Sequence, residues 1–192
     1  MNNPKDNQYP GWFKSRQLMR DSYHVLKPAY KDIQPEVTQT ESERKGYEFE
    51  KHIVSLFNTD YFKLLEWRSD KSVNGICALS SKFPDLEFYF TSQSGSLHFA
   101  VECKWRQYYN YGMIDIARED QLSNYREFQQ ITQIPVFIVL GVGGEANRPY
   151  EVYIIPLDKI EEPRLHAMTI WPFQRKLPNE MFFLNCSKRM LS

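Results

Sequence analysis

The sequence predicts a mixed α/β domain whose elements run α-β-β-β-α-β-β. Three observations predict it. Thr40 to Phe57 carries apolar residues at helical spacing. Residues 85–105 carry an alternation of apolar and polar residues over two strands joined by a turn. Pro135–Leu140 is a continuous apolar run, separated from that pair by a second helical stretch at about 118–130. Alternation marks a strand buried on one face, and an unbroken apolar run bounded by turns marks one buried on both.

Composition sets the bounds. A chain of 192 residues can bury one sizeable core. Its 42% hydrophobic and 25% charged content is that of a soluble globular protein. The 15% aromatic content can fill a core or stack on nucleobases, and does not choose between them. A formal net charge of zero speaks against a protein that simply coats DNA. It speaks less against one whose basic groove is offset by an acidic metal site. Cys77, Cys103 and Cys186 are scattered and odd in number, with no CxxC, so neither a disulfide framework nor a zinc knuckle is expected. The N-terminal stretch lacks a signal-like apolar run, and nothing approaches the roughly 18 apolar residues of a membrane span. A cytoplasmic protein without a membrane partner is the expectation.

Along the chain, residues 1–40 read as an arm punctuated by Pro4, Pro10, Pro28 and Pro35, with room for a helix from Trp12 to Leu26. Thr40-Glu41-Ser42-Glu43 offers an N-cap followed by first-turn acids, and the helix it opens runs to about Phe57. Tyr61–Trp67 reads as a strand and 68–81 as polar and irregular. Leu86, Phe88 and Phe90 alternate with Asp85, Glu87 and Tyr89; TSQSGS turns the chain; Leu97–Trp105 returns. A tyrosine-rich irregular stretch follows at 106–118, then the helix, the buried strand, a loop over 141–149, and a strand at Glu151–Leu157. A last short strand is expected at Met181–Leu184. Residues 41–160 form the expected core and 161–192 an extension packed on it.

Strand periodicity places the chemistry. In 98–105, His98, Ala100, Glu102 and Lys104 share one face, while Phe99, Val101, Cys103 and Trp105 share the other. The hairpin brings Asp85 near Glu102. Two carboxylates and an ammonium on a small area suit a hard cation such as Mg²⁺ (or Mn²⁺), which takes carboxylate, carbonyl and water oxygens. The Cys103 carbonyl is a further candidate ligand. A lysine there can position or deprotonate a water, or stabilise developing charge. The triplet alone means little: about one acidic-x-Lys is expected by chance, and Glu43-Arg44-Lys45 is another. The context of Pro-Asp on one strand, Glu-x-Lys on the next and a helix on each side gives it meaning.

Pro84-Asp85 followed by Glu102-Cys103-Lys104 resembles the PD-(D/E)XK nuclease superfamily, the restriction-endonuclease-like fold, whose αβββαβ core matches the order read here. Gly46-Tyr-Glu-Phe-Glu50 resembles the G-x-x-x-E of the first helix in Holliday-junction resolvases. Gln121-Leu-Ser-Asn-Tyr125 resembles the Q-x-x-x-Y of the exonuclease-like branch. The resemblance covers roughly 41–160. It implies a Mg²⁺-dependent endo- or exodeoxyribonuclease, with Asp85, Glu102, Glu50 and the Cys103 carbonyl on the metal and Lys104 and Gln121 assisting. Nucleic acid, most directly DNA, is the implied partner, and a homodimer agrees with relatives that cut two strands with two sites.

Each residue also has a plainer reading. Asp85 could cap a turn, Glu102 and Lys104 could be a cross-strand pair, and Glu50 could be a helix-surface acid in competition with Glu48. Gln121 and Tyr125, four apart, share a face on any amphipathic helix. His98, Arg106 and Tyr125 are candidates to line the cleft or hold substrate, and Glu87 is a minor metal candidate. Arg106 with Tyr108, Tyr109 and Tyr111 either stacks on unpaired bases or packs as a loop. The alternative to an enzyme is a nuclease fold retained, without catalysis, for nucleic-acid binding or assembly.

Overall fold

In a computed structural model, residues 40–68, 72–73, 76–77 and 82–192 are described. The expected arm over 1–40, with its helix at 12–26, lies outside them apart from Thr40, as does most of 68–81.

Helix α1 (Glu41–Ser55) starts where the sequence places its cap. The Glu43 N–H donates to Thr40 Oγ1 at 3.2 Å, and the Thr40 N–H donates to Glu43 Oε2 at 2.7 Å, a reciprocal capping box. Strand β1 (Phe62–Trp67) follows, and then a two-residue pair, β2 (Ser72–Val73) and β3 (Ile76–Cys77). The hairpin is β4 (Leu86–Ser92) and β5 (Gly95–Arg106). Beyond it come β6 (Met113–Asp115), helix α2 (Glu119–Thr132), β7 (Val136–Val142) and β8 (Glu151–Pro156). The C-terminal part holds β9 (Arg164–His166), a single-turn α3 (Ala167–Ile170), β10 (Leu184–Asn185) and β11 (Met190–Leu191).

The protein has a mixed α/β architecture built on a five-stranded sheet in the order β1-β4-β5-β7-β8. The β5–β7 pairing is parallel and the other three in this sheet are antiparallel. A parallel neighbour needs a crossover, and α2 supplies it. The two helices cover opposite faces. On one, Phe49 and Ile53 of α1 meet Phe88, Phe99, Val101, Phe137 and Val139. On the other, Leu122, Tyr125 and Phe128 of α2 meet Ala100, Val136, Ile138 and Leu140. β7 is buried along its whole length, as its apolar run requires. Phe182, Leu184 and Leu191 close the first face, with the Phe182 ring stacked on Phe57 at 4.5 Å.

Three elements differ from expectation. The strand expected at 181–184 forms as Leu184–Asn185 and pairs with Met190–Leu191. Part of the irregular stretch at 106–118 is β6, paired with β9. The loop read from Gly141 starts later, because β7 carries Gly141 and Val142 still paired to β8. That glycine is there for room. A Cβ on Gly141 would lie 2.5 Å from the Phe49 ring, so α1 docks on the sheet through a gap that a side chain would fill.

Gly141→Ala is therefore expected to destabilise the fold by about 1–3 kcal/mol through overpacking. Thermal denaturation followed by circular dichroism should show a fall of several degrees, partly recovered by adding Phe49→Leu. An unchanged Tm would show that the ring does not depend on this gap.

Candidate active site

β5 is longer than its partner on one side. The β4–β5 ladder begins with Leu86 opposite Val101, so Glu102 to Arg106 run past the end of β4 while remaining paired to β7 as far as Arg106–Val142. This offset leaves a notch in the sheet. A cleft of about 670 Å³ opens there between the first turns of α1 and the end of β5. Glu50, Asp85, Cys103, Lys104, Trp105 and Arg106 are among its lining residues.

Asp85 sits one residue before the ladder and Glu102 one residue beyond it, so the register sets them across from each other. The Asp85 N–H donates to Glu102 Oε2 at 3.2 Å, and the Cys103 N–H donates to Asp85 Oδ2 at 2.8 Å. Glu102 Oε1 accepts from the Tyr125 hydroxyl and from the Lys104 ammonium, each at 2.5 Å. Asp85 is 6% exposed and Glu102 2%. Glu102 lies beneath the cleft rather than on its lining, turned to α2, while Asp85 and Lys104 reach the cleft itself.

Burial and the adjacent Glu102 push the Asp85 carboxyl well above the ordinary aspartate range; Glu50 adds to this, while Lys104 and the Cys103 N–H oppose it. Burial also works to lower the Lys104 pKa, but Glu102 and Asp85 outweigh it and hold the ammonium above its usual value. Burial raises the Cys103 thiol, so it is not a reactive thiolate.

The remaining sequence candidates divide. Glu50 faces the cleft and accepts from Trp67 Nε1 at 2.8 Å, whereas Glu48 pairs with Arg44 along the helix. Tyr125 reaches the site directly through Glu102. Gln121 does not meet the carboxylates: its Oε1 accepts from the Arg118 N–H at 3.2 Å at the start of α2. Arg106 lines the cleft, with Nε donating to the Asp115 carbonyl at 2.9 Å. His98 is not on the cleft; its Nε2 lies 3.0 Å from Glu87 Oε2, inside the sheet face. At Cys103 the contact with Asp85 is made by the N–H. Of the tyrosine-rich segment, Tyr108 and Tyr111 are exposed, at 73% and 99%, and Tyr109 is tied to Glu151 and Tyr153. Sequence reasoning missed Trp67, Arg68 and the stacking of Lys45 over the Trp105 ring at 5.4 Å. Strand order alone brings β1 beside Asp85, and no local pattern announces it.

Among the described residues no three His, Cys, Asp or Glu side chains stand together as a metal cluster. The donor set still fits a hard cation, which needs one or two carboxylates and keeps several waters. Glu50 and Asp85 on the cleft, with Glu102 below, supply oxygen donors alone, and their proximity helps push the Asp85 carboxyl upward.

A carboxyl held above its unfolded pKa binds a proton in the folded chain where the unfolded chain has released it. Its contribution to stability is then full below the ordinary aspartate pKa and is lost as pH rises through the elevated one. In chelator, Asp85→Asn is expected to be more stable than the parent chain at neutral pH, and the difference to shrink toward about pH 4. Urea titrations across that range check it; a less stable Asp85→Asn at neutral pH would refute the raised pKa.

No protein-family model matches the chain, and a search of curated proteins finds no match. Among solved structures, the chain is similar to Hjc, a Holliday junction resolvase from the archaeal hyperthermophile Archaeoglobus fulgidus. The identity is 13% and the TM-score 0.48, over 67% of this chain and 93% of that one. At that level the likeness is one of shape alone.

Proposed function

We propose that the chain is a divalent-metal-dependent nuclease hydrolysing phosphodiester bonds of DNA at the notch in the sheet. The observation that carries this reading is the joining of Asp85, Glu102 and Lys104 through buried hydrogen bonds at the edge of a cleft that also holds Glu50. The sequence resemblance to PD-(D/E)XK nucleases assigns the same residues.

Asp85 and Glu102 would hold Mg²⁺ or Mn²⁺, with Glu50 across the cleft as the third acid and the Cys103 carbonyl as a further candidate ligand. The chemistry a bound cation supplies is polarisation of the scissile phosphoryl oxygen and acidification of a water. The chain's own residues do the rest. The Cys103 N–H fixes the Asp85 carboxylate, the Tyr125 hydroxyl fixes Glu102, and Trp67 fixes Glu50. Lys104, held protonated, is suited to stabilise negative charge on phosphate oxygens rather than to remove a proton in the arrangement seen.

A non-catalytic module is the second reading, and the Lys104–Glu102 ion pair favours it, because the site neutralises itself without a cation. One assay separates the two. Plasmid, linear, branched and single-stranded DNA are incubated with Mg²⁺ or Mn²⁺, with and without chelator. Metal-dependent cleavage is expected, reduced about 10²–10³-fold in Lys104→Ala, the size of loss typical for removing one group that stabilises transition-state charge. No cleavage of any substrate supports the module, and cleavage untouched by Lys104→Ala overturns the assignment of the activity to this site.

A further inference from the structure

Arg68 follows directly on β1, outside the cleft and outside every motif read from the sequence, yet it contacts three successive residues leading into the site. Its guanidinium lies over the Phe83 ring, 5.6 Å from the centroid. Its Nη1 donates to the Pro84 carbonyl at 2.8 Å, and its backbone N–H donates to the Asp85 carbonyl at 2.7 Å. The second arm of the fork, Nη2, ion-pairs with Glu87 Oε1, and the other Glu87 oxygen faces His98 Nε2 at 3.0 Å. Arg68 and Glu87 are 12% and 1% exposed at their side chains.

We propose that Arg68 is a positioning residue for the Asp85 carboxylate, and so for the divalent cation that the reading above places there. The inference rests on that reading and adds a part to it. A buried ion pair contributes little net stability compared with apolar residues of the same size, so stability alone does not account for it. Its geometry does account for a positioning role. Glu87, held in the ladder as the second residue of β4, aims the planar fork, and the fork then holds the backbone on the N-terminal side of Asp85. From the opposite side the Cys103 N–H holds the carboxylate. Asp85 stands before the first ladder pair, where strand pairing no longer fixes its direction. Outer contacts of this kind commonly change metal affinity about 10- to 100-fold.

Lysine cannot replace the fork. A point charge can stay beside Glu87 but cannot also present a second, fixed donor to the Pro84 carbonyl. Arg68→Lys therefore keeps the charge pair and the backbone bond to the Asp85 carbonyl, and removes the side-chain hold on the Pro84 carbonyl that precedes Asp85.

The test is Mn²⁺ binding by calorimetry and by electron paramagnetic resonance, with Tm recorded for each variant. Arg68→Lys is expected to weaken Mn²⁺ binding about tenfold or more with Tm close to that of the parent chain. Phe182→Leu, a core change on the other sheet face, is expected to lower Tm and leave Mn²⁺ affinity unchanged, which a general loosening of the fold would not do. If Asp85→Asn abolishes binding while Arg68→Lys binds like the parent, the positioning role is overturned and the metal site stands. If Asp85→Asn leaves binding unchanged, the metal site is overturned and the role of Arg68 with it. Should Arg68→Lys fail to fold, Arg68→Met combined with Glu87→Met removes both buried charges and reads the same quantity.

Discussion

Two carboxyl groups lie side by side with almost no access to water, and the structure around them is organised by that fact. Burying one charge without compensation is costly, and burying a like-charged pair is more so. The pressure is answered at every contact. Asp85 is pushed toward its neutral form, Glu102 keeps Lys104 and the Tyr125 hydroxyl on one oxygen, and backbone N–H groups reach Glu102 Oε2 and Asp85 Oδ2. The answers come from three elements: β5 for Lys104 and the Cys103 amide, α2 for Tyr125, the entry to β4 for the Asp85 amide. The site is the place where the sheet and α2 must agree in register.

That agreement comes from the strand offset. Had β4 continued alongside β5 to Arg106, the Asp85 position would lie within the ladder and no notch would exist. Stopping the ladder at Leu86–Val101 leaves the end of β5 paired on the β7 side alone. The apolar faces fix the offset, because a slip by one residue would turn Phe88, Phe99 and Val101 off the α1 face and drive Glu87 and Ala100 into it. The phenylalanine stack is thus a register device as well as a core. Phe88 and Phe99 lie 5.6 Å apart across the β4–β5 pair, and Phe57 stacks on Phe88 at 4.0 Å from the end of α1.

The same periodicity is why so much could be read without coordinates. Alternation through 86–90 and 97–105 put Glu102 and Lys104 on one face and Asp85 near them, and the unbroken run at 135–140 required a central strand. Thr40 and Glu43 announced the start of α1 because capping is local chemistry. What stayed hidden depends on strand order. β1 lies beside β4, which brings Trp67 to Glu50 and Arg68 to the Pro84–Asp85 segment across 16 or 17 residues. Gln121 is placed away from the carboxylates for a local reason. It shares a helix face with Tyr125, but near the helix start its amide reaches the Arg118 N–H. The loop at Gly141 misled because glycine signals a turn, whereas here it makes room for Phe49 inside a strand.

The ion pair of Lys104 and Glu102 bears on what the lysine can do. The field of Glu102 and Asp85 that draws the ammonium in also raises its pKa, so a proton acceptor at that nitrogen is disfavoured while the carboxylates face it. A donor of positive charge is favoured by the same field. Proximity to two acids therefore argues for an electrostatic role, and a general-base role would need those acids occupied by something else. Two further half-buried cations line the cleft from α1 and the end of β5, Lys45 lying over Trp105 and Arg106 anchored through the Asp115 carbonyl. Both signs meet along the cleft, where Lys45 also pairs with Glu41 at 2.8 Å and Lys104 stands against Glu102, so opposite charges offset one another locally as they do over the whole chain.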